Sequence, residues 1–367
     1  MHKNEERYQI YRENFLGALE EAAQGSWSSI SYLVHKIPPL PKGTKIEKLQ
    51  VMAFGGSTFH SGIHTGKEDF LEIEKTELPQ LDSLQAVVDL VLQHLKPGIS
   101  HLAINFAYPL RASTEHGVLD AVLIKPTKEH DFKGLVGLPV GYTVKKVLEV
   151  EHDIHLEVAV ANDTVCLALS GLVEPANTIA GIVGTGENFG LFARGSEYLA
   201  PVNLECGNFS GFTALESTKS IDKNSDLPGT QLSEKEIAGG YLYQHFNYYV
   251  EKGEIQGDKI DDTKQLSEVA QNDAGDRGNA AKTIIANSAK LVAAQMAAIM
   301  DFQTKKYSPQ HKYYFAMEGS LFWYGDNYLE TVKAQLDKFG YKDSQLEFRD
   351  IENSYLIGAG RLFSFNH

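Results

Sequence analysis

Cysteine and positive charge are both scarce in this sequence. Among its 367 residues only Cys166 and Cys206 carry a thiol, and they form no CxxC pair. A disulfide framework or a structural zinc site is therefore not expected, and we expect two reduced thiols in the cytosol. Lys and Arg number 34 against 48 Asp and Glu, which gives a formal net charge of −14. Because there is no basic stretch to displace counterions from phosphates, nucleic acid is not an expected partner.

Long apolar runs are missing too. No run approaches the roughly 18 apolar residues that a membrane helix needs, so we expect no membrane association. The charged start, Met1–Glu6, has no apolar core of the kind found in signal peptides. A composition of 43% hydrophobic and 22% charged residues is typical of a soluble globular enzyme, and we expect it in the cytoplasm. The length favours two domains, since one hydrophobic core rarely serves so long a chain.

The apolar pattern alternates between strands and helices, which is typical of an α/β protein. Apolar segments with strand character cover three ranges: 49–54, 101–106 and 178–183. Apolar residues at helical spacing predict three helices: 5–25, 84–95 and 281–300. Thr164 is expected to start a further helix. The polar, glycine-containing stretch 251–280 is expected to be a loop.

Small polar residues follow the apolar segment that ends at Ala161. Asn162 and Asp163 come directly after it. Ligands of α/β sheets bind beyond the carboxyl ends of strands, where an Asp can accept a proton and an Asn can fix a hydroxyl group. The same residues are equally typical of a helix N-cap, so the pattern leaves both interpretations open.

Two glycine-containing turns and two acids are further candidates. Gly55-Gly56-Ser57-Thr58 and Gly184-Thr185-Gly186 follow apolar strands, where free backbone amides can face an anion. Each is also typical of an ordinary turn. Glu205 and Glu234 lie beside apolar residues, and a carboxylate there can accept hydrogen bonds from sugar hydroxyls. A single Glu is more commonly a solvated surface acid.

In order along the chain, these segments resemble the motifs of the eukaryotic-type hexokinase family. The first half carries four of the matches: Ala53–Phe59 for D-L-G-G-T-N-F, Ile104–Pro109 for T-F-S-F-P, Pro126–Lys128 for W-T-K, and Asn162–Val165 for an unchanged N-D-T-V. The second half carries four more: Gly184–Asn188 for G-T-G-x-N, Asn203–Phe209 for N-M-E-W-G-A-F, Pro228–Lys235 for P-G-x-Q-x-F-E-K, and Glu318–Phe322 for D-G-S-V-Y.

The resemblance implies a fold and an activity. The fold is α/β, with two ribonuclease-H-like lobes of the actin-like ATPase type and a sugar cleft between them. The small lobe is expected at 46–161 plus about 355–367, and the large lobe at 1–45 and 162–354. The implied activity is ATP-dependent phosphorylation of a hexose, with glucose expected, at its 6-hydroxyl. This is the first step of glycolysis, with ATP and Mg²⁺ required.

The resemblance also implies a role for individual residues. Asp163 is the expected general base. The expected sugar-binding residues are Thr127, Lys128, Asn162, Asn188, Glu205 and Glu234. Phosphate and nucleotide are expected at Gly55, Gly56, Ser57, Thr58, Gly184, Thr185, Gly186, Gly319 and Ser320. Mg²⁺ is expected to bridge the β- and γ-phosphates.

Three positions depart from the family pattern. Ala53 replaces an Asp that helps to place the metal through water, His60 replaces an Arg near the phosphates, and Ala107 replaces a Ser that touches the sugar. Three functions therefore stay open: an ATP-dependent hexose kinase, a sugar-binding regulator that has lost efficient transfer, and a hexose kinase with another phosphoryl donor. The sequence leaves the oligomeric state open.

Overall fold

The computed structural model describes residues 2–39, 46, 48–65, 70–125, 130–194, 199–307 and 311–363. The chain forms two compact units. The first unit comprises Met1–Tyr32, Ala176–Leu191 and Asn203–Asp350. The second comprises Leu33–Pro175, Phe192–Val202 and Ile351–His367. The lobe boundaries expected from the sequence stay a prediction; in this division residues 162–175 belong to the second unit.

Strands and helices alternate along much of the chain. The strands are β1 Leu33–Val34, β2 Leu49–Phe54, β3 Thr58–His64, β4 Phe70–Glu77, β5 His101–Phe106, β6 Leu110–Ser113, β7 Asp120–Leu123, β8 Glu157–Ala161, β9 Thr178–Val183, β10 Glu187–Phe192, β11 Pro201–Asn203, β12 Tyr313–Glu318 and β13 Leu346–Arg349. The helices are α1 His2–Ala23, α2 Leu84–His94, α3 Val140–His152, α4 Asp163–Ser170, α5 Glu216–Lys223, α6 Leu232–Ile237, α7 Gly239–Glu251, α8 Thr263–Asn272, α9 Asp276–Tyr307, α10 Ser320–Tyr324, α11 Tyr328–Lys338 and α12 Ser354–Gly360.

The second unit is built on a sheet with the strand order β4-β3-β2-β5-β8. Strands β2, β5 and β8 are parallel, whereas β3 runs antiparallel to β2. The carboxyl ends of three parallel strands therefore lie at one edge, and this edge presents Gly55, Ala107 and Asn162 immediately after the strands. In open α/β sheets this edge is where ligands bind.

Helices cover both faces of this sheet. On one face α2 and α3 bury apolar side chains such as Val88, Val91 and Val144 against strand residues such as Ile104 and Val160. On the other face α12 packs against α4 and the strands. A Cβ atom on Gly358 would fall 1.7 Å from the carbonyl oxygen of Cys166, so only glycine allows this close approach of the two helices.

The first unit contains four strands that are neighbours in the order β10-β9-β12-β13. Strand β9 is parallel to β12 and antiparallel to β10. The carboxyl ends of β9 and β12 therefore lie side by side, and they lead into Gly184 and Gly319. The long helix α9 packs against α1, whose Tyr11, Phe15 and Leu19 are almost fully buried.

Most predicted elements are confirmed. The bounds of β2, β5 and β9 match the predicted strands, and α1, α2 and α4 lie where helices were expected. Helix α9 is longer than the predicted 281–300. The expectation of a loop over 251–280 is wrong in part, because α8 lies within it. Its N-cap Asp262 accepts a 2.7 Å hydrogen bond from the amide of Gln265, and Leu266 and Ala270 bury one helical face.

Helix α9 also has the length and composition of a membrane span. Within its stretch Asp276–Lys306, an 18-residue window has a mean hydropathy of 1.3, and 72% of that window is buried inside the protein. By length and composition, α9 therefore contradicts the expectation that no segment approaches a membrane helix. Its burial is typical of the core helix of a globular domain.

Candidate functional site

Asn162 and Asp163 lie where β8 passes into α4 in the second unit. Asn162 is the N-cap: its Oδ1 accepts a 2.9 Å hydrogen bond from the amide of Val165. The Oδ1 of Asp163 accepts hydrogen bonds from the amide of Thr164 at 2.8 Å and from Nδ2 of Asn162 at 3.2 Å. Among the described residues, no hydrogen bond reaches Oδ2 of Asp163. The capping interpretation thus holds for Asn162, while the half-buried Asp163 keeps an oxygen that can accept a proton.

The turn Gly55–Thr58 joins β2 to β3 at the same edge of this sheet. The amide of Gly55 donates a 2.9 Å hydrogen bond to the carbonyl of Thr58, and Tyr108 donates its hydroxyl to the carbonyl of Gly55 at 3.0 Å. A Cβ on Gly55 would lie 2.9 Å from the Thr58 carbonyl oxygen, so the tight turn requires glycine. Gly56 and Ser57 are exposed at its tip, where their backbone can meet a ligand.

The departures from the family pattern lie next to one another in the second unit. Ala53 of β2 is in register with His60 of β3 and with Asn105 of β5. Asn105 is buried, and its Oδ1 has no hydrogen-bond partner among the described residues. Burial and the nearby Lys75 lower the pKa of His60, and its Nδ1 lies 2.8 Å from the hydroxyl of Tyr355. His60 is therefore no substitute for the fixed charge of an Arg.

A chain of side-chain hydrogen bonds fixes Glu205 in the first unit. Asn188 donates from Nδ2 to Oδ1 of Asn203 at 2.8 Å, and Asn203 donates from Nδ2 to Oε1 of Glu205 at 2.7 Å. The Oδ1 of Asn188 accepts from the amides of Phe189 and Cys206, at 2.8 and 3.2 Å. Glu205 has a left-handed backbone with φ of 50°, which turns the chain sharply at this point.

Glu234 lies against this turn and against the Gly184–Gly186 loop. A Cβ added to Gly207 would fall 2.7 Å from Oε2 of Glu234, and one added to Gly186 would lie 3.7 Å from the same oxygen. The next residue, Lys235, is 2% exposed and anchors α6. Its Nζ donates to Oδ1 of Asp222 at 2.6 Å and to the carbonyl of Thr230 at 2.8 Å.

The loop Gly184-Thr185-Gly186 is held from behind by the start of α7. The amides of Gly239 and Gly240 donate to the carbonyls of Gly184 and Thr185, at 2.7 and 3.0 Å. These bonds turn two loop carbonyls toward α7. Thr185 is exposed, and among the described residues its amide has no hydrogen bond. A loop of this kind can present its amides to a phosphate.

Gly319 brings β12 against the same loop. Its φ is 114°, and a Cβ there would fall 2.1 Å from the carbonyl oxygen of Val183 and 2.6 Å from the amide nitrogen of Gly184. No side chain fits at this position. Ser320 follows as the first residue of α10. The predicted phosphate and adenosine residues are therefore neighbours.

The predicted site residues divide between the two units. The first unit brings together Asn188, Glu205, Glu234, Gly184, Thr185, Gly186, Gly319 and Ser320. The second unit carries Asn162, Asp163 and the turn Gly55–Thr58. Thr127 and Lys128 lie outside the described residues. Sequence reasoning assigned no role to Asn203, although its position two residues before Glu205 was part of the matched motif.

The residues present suit a nucleotide better than a directly bound metal. The Gly184–Gly186 loop offers the amide of Thr185, and backbone amides are groups that hold phosphates. Within the described ranges, no group of three or more His, Cys, Asp or Glu side chains could hold a metal ion.

Sequence comparisons agree with these motifs. The family model described as Hexokinase matches residues 251–364. Hexokinase-3 of Mus musculus is 26% identical over 254 residues, which cover 61% of this chain and 27% of that protein. Hexokinase-2 of Arabidopsis thaliana is 27% identical over 260 residues, which cover 60% and 50%. The chain thus spans half or less of the length of these relatives.

Solved structures share the fold over nearly the whole chain. A hexokinase of Schistosoma mansoni complexed with glucose has a TM-score of 0.73 and 21% identity, covering 98% of this chain and 94% of that one. A ROK hexokinase of Thermus thermophilus has a TM-score of 0.57 and 18% identity, covering 86% and 97%. These likenesses show the two-lobed actin-like ATPase fold that the motifs implied. The family model over residues 251–364, the aligned relatives and the shared fold together show that this chain is similar to hexokinases.

Proposed function

We propose that this chain transfers the terminal phosphoryl group of ATP to the 6-hydroxyl of a hexose, with glucose as the expected substrate. The observation that carries the proposal is the cluster in the first unit, where Glu205 and Glu234 stand beside the Gly184–Gly186 loop. Two oriented carboxylates suit a polyol, and the adjacent amides suit a phosphate.

Asp163 is the proposed proton acceptor. As the sugar oxygen forms its bond to the γ-phosphorus, the bond from that phosphorus to the β,γ-bridging oxygen breaks, and ADP leaves. The hydroxyl proton passes to Oδ2 of Asp163, because its Oδ1 already accepts hydrogen bonds from Thr164 and Asn162. Phosphoryl transfer depends mainly on alignment and charge neutralisation, so a fixed carboxylate is a suitable base.

The other residues of the site bind and orient. Asn203 holds Oε1 of Glu205 and so orients this carboxylate toward a sugar hydroxyl. Thr185 and the loop amides would receive the phosphates of the nucleotide, and Gly319 and Ser320 would face its adenosine. Mg²⁺ would neutralise charge on the β- and γ-phosphates. We place the protein in the cytoplasm, a location that suits its two buried cysteine side chains.

A second candidate function rests on Ala53 and His60. Neither side chain supplies the carboxylate or the fixed positive charge that the family pattern has at these positions. A sugar-binding regulator without efficient transfer, or a kinase with a donor other than ATP, would fit that change. Both alternatives keep sugar binding by Glu205 and Glu234.

One assay separates these functions. Sugar phosphate formation is measured with glucose, mannose, fructose and galactose, each with ATP, GTP, ADP and polyphosphate as donor. A hexose kinase yields a sugar 6-phosphate with ATP, and the same assay with Glu205→Gln loses most of this product at low sugar. No product with any pair, together with glucose binding by calorimetry, identifies the regulator instead.

A further inference from the structure

Glu187 is a buried carboxyl group beside the candidate site that the proposed mechanism does not use. It is the first residue of β10, directly after the Gly184–Gly186 loop, and is 3% exposed. Its neighbour Asn188 is half-buried and bonds to Asn203, whereas the alternation of the strand turns Glu187 to the other face. Neither carboxyl oxygen of Glu187 has a hydrogen-bond partner among the described residues.

The groups around this carboxyl are polar but neutral. Gln295 of α9 donates from Nε2 to the hydroxyls of Tyr11 and Ser233, at 3.0 and 3.1 Å, and these hydroxyls lie 2.7 Å apart. Gln295 and Ser233 also lie close enough to Glu187 to lower its pKa, but their effects are smaller than those of burial and of Glu234, which raise it. The Oε1 of Gln295 is a buried acceptor that has no partner among the described residues.

The titratable groups that face Glu187 come from several elements. They are Glu234 of α6, Tyr11 of α1, Tyr328 of α11 and Cys206 after β11. Among the described residues that set its pKa there is no Lys or Arg. Burial and then the charge of Glu234 raise the pKa of Glu187 to about 8. Burial also raises the pKa of Tyr11, Tyr328 and Cys206, so these three stay neutral.

An ionised Glu187 would be a buried charge without a counterion, which is strongly unfavourable. A protonated Glu187 has one O–H donor, and Oε1 of Gln295 is an acceptor in need of one. One proton therefore satisfies both groups. When two carboxyl groups are neighbours and one of them is fully buried, the buried group keeps its proton and the more accessible group ionises.

We propose that Glu187 is a positioning residue for Glu234, a neutral acid that donates its proton to Gln295 and so leaves the single negative charge of this pair on Glu234, at the sugar site. The role in sugar binding rests on the proposed function; the division of charge does not. When Glu187 loses its proton to solvent at high pH, its charge opposes that of Glu234, whose carboxylate then shifts or takes up a proton. Sugar affinity falls in either case.

The first test measures glucose binding by calorimetry from pH 6 to 9.5. In the parent protein we expect the affinity to fall about tenfold as the pH rises through about 8, the effect of one uncompensated like charge. Glu187→Gln keeps the shape and is neutral at every pH. It should match the parent at pH 6.5 and lose the decline above pH 8. Equal declines in both proteins would overturn the proposal.

A matched control removes another buried carboxylate of the same unit. Glu236 is 1% exposed, but it pairs with Arg7 and accepts a 2.7 Å hydrogen bond from Thr218. Glu236→Gln should retain the decline in sugar affinity above pH 8, even where it lowers the melting temperature. Loss of the decline in this variant would show that any buried substitution removes it and would overturn the role of Glu187.

The second test needs no sugar. The carboxyl ¹³C resonances of Glu187 and Glu234 are assigned with the two Gln variants and titrated by NMR. Glu187 should titrate near pH 8, and the resonance of Glu234 should move in the same range as its neighbour becomes charged. Titration of Glu187 below pH 5 would overturn the proposal. If Glu187 titrates near 8 but glucose does not bind at any pH, the proposed function fails and the division of charge stands.

Discussion

Asn203 donates a hydrogen bond of 2.7 Å from its Nδ2 to Oε1 of Glu205, while its own Oδ1 accepts from Asn188. The three side chains form a relay in one direction, because the Nδ2 of each Asn donates to the next residue while its Oδ1 accepts. Buried polar networks of this kind fix a single orientation of every member. The direction in which Glu205 presents its carboxylate therefore depends on a residue that need not touch the ligand.

Replacement of Asn203 tests this relay. Asn203→Ala removes the donor to Glu205 and leaves the amide of Asn188 without its acceptor. We expect glucose affinity to fall about 10- to 100-fold, which corresponds to about 1–3 kcal/mol for one buried charged hydrogen bond. Asn208→Ala is a control, since Asn208 donates only a 3.4 Å hydrogen bond to the backbone carbonyl of Glu205. If calorimetry gives the same affinity for parent and Asn203→Ala, the relay does not orient the carboxylate.

Replacement of Gly207 tests the position of Glu234. In Gly207→Ala the new methyl group would lie 2.7 Å from Oε2 and 3.0 Å from Cβ of Glu234, so this side chain must move. We expect glucose affinity to fall at least tenfold while the protein stays folded. Gly17→Ala is the comparison, because a Cβ on Gly17 meets nothing within 4 Å in helix α1. It should leave binding unchanged and raise the free energy of unfolding by up to about 1 kcal/mol.

The pH dependence of unfolding tests the buried Glu187. Its pKa is raised from the ordinary value of 4.5 to about 8 in the folded chain. Between these values the folded form keeps a proton that the unfolded form has released. The contribution of Glu187 to the free energy of unfolding is therefore fully present below pH 4.5, falls as the pH rises, and levels off above about 8.

Glu187→Gln should remove this contribution. Urea unfolding at pH 5, 7 and 9 should give nearly equal values for parent and variant at pH 5. The variant should become more stable than the parent by a few kcal/mol at pH 9. Other titrating groups cancel in the difference between the two proteins. A difference that is constant across this range would show that Glu187 ionises as freely in the folded chain as in the unfolded one.

Restoration of an acid at position 53 tests the second candidate function. Ala53→Asp adds a carboxylate between His60 and Asn105, near Gly55 and Gly56. We expect it to raise phosphoryl transfer severalfold at limiting Mg²⁺, because it gives metal-bound water a partner. The uncharged Ala53→Asn should not. If the parent protein transfers from no donor and Ala53→Asp creates no transfer, although glucose binds, the chain is a regulator.

The effect of Ala53→Asp would differ if the parent protein already transfers the phosphoryl group rapidly. If transfer from ATP is fast at low Mg²⁺ and Ala53→Asp adds nothing, another residue places the metal. Asn105 is the first residue to substitute, because it is in register with Ala53. Its buried Oδ1 has no hydrogen-bond partner in the described part of the chain.

The sequence predicted the parts of this protein that depend on local pattern. Strands β2, β5 and β9 were found because buried parallel strands are continuous apolar runs between glycine turns. Helix α8 was missed, because the glycines on either side of it suggested a loop while only two of its residues face the core. The N-cap at Asp262 was the available signal.

The candidate site was predicted less completely for a physical reason. The motif residues could be numbered, but the neighbours of Glu187 come from α1, α6, α9 and α11, which are far apart in the sequence. Nothing in the sequence indicates that Glu187, a charged residue directly after a glycine turn, is buried. Gly239 and Gly240 support the Gly184–Gly186 loop through hydrogen bonds between distant parts of the chain. Such contacts depend on packing and could not be predicted from the sequence pattern. The role of Thr127 and Lys128 stays a prediction.

The most direct test of the proposed activity is phosphoryl transfer itself, followed by ³¹P NMR with ATP, Mg²⁺ and glucose. The parent protein should form glucose 6-phosphate and ADP in equal amounts. Asp163→Ala should bind glucose with little change in affinity and turn over about 10²–10⁴-fold more slowly, as expected when a positioned proton acceptor is removed. Its Asn162 cap is retained, so the fold should persist. Equal turnover by parent and Asp163→Ala, or no sugar phosphate from the parent protein, would contradict a hexose kinase with Asp163 as its base.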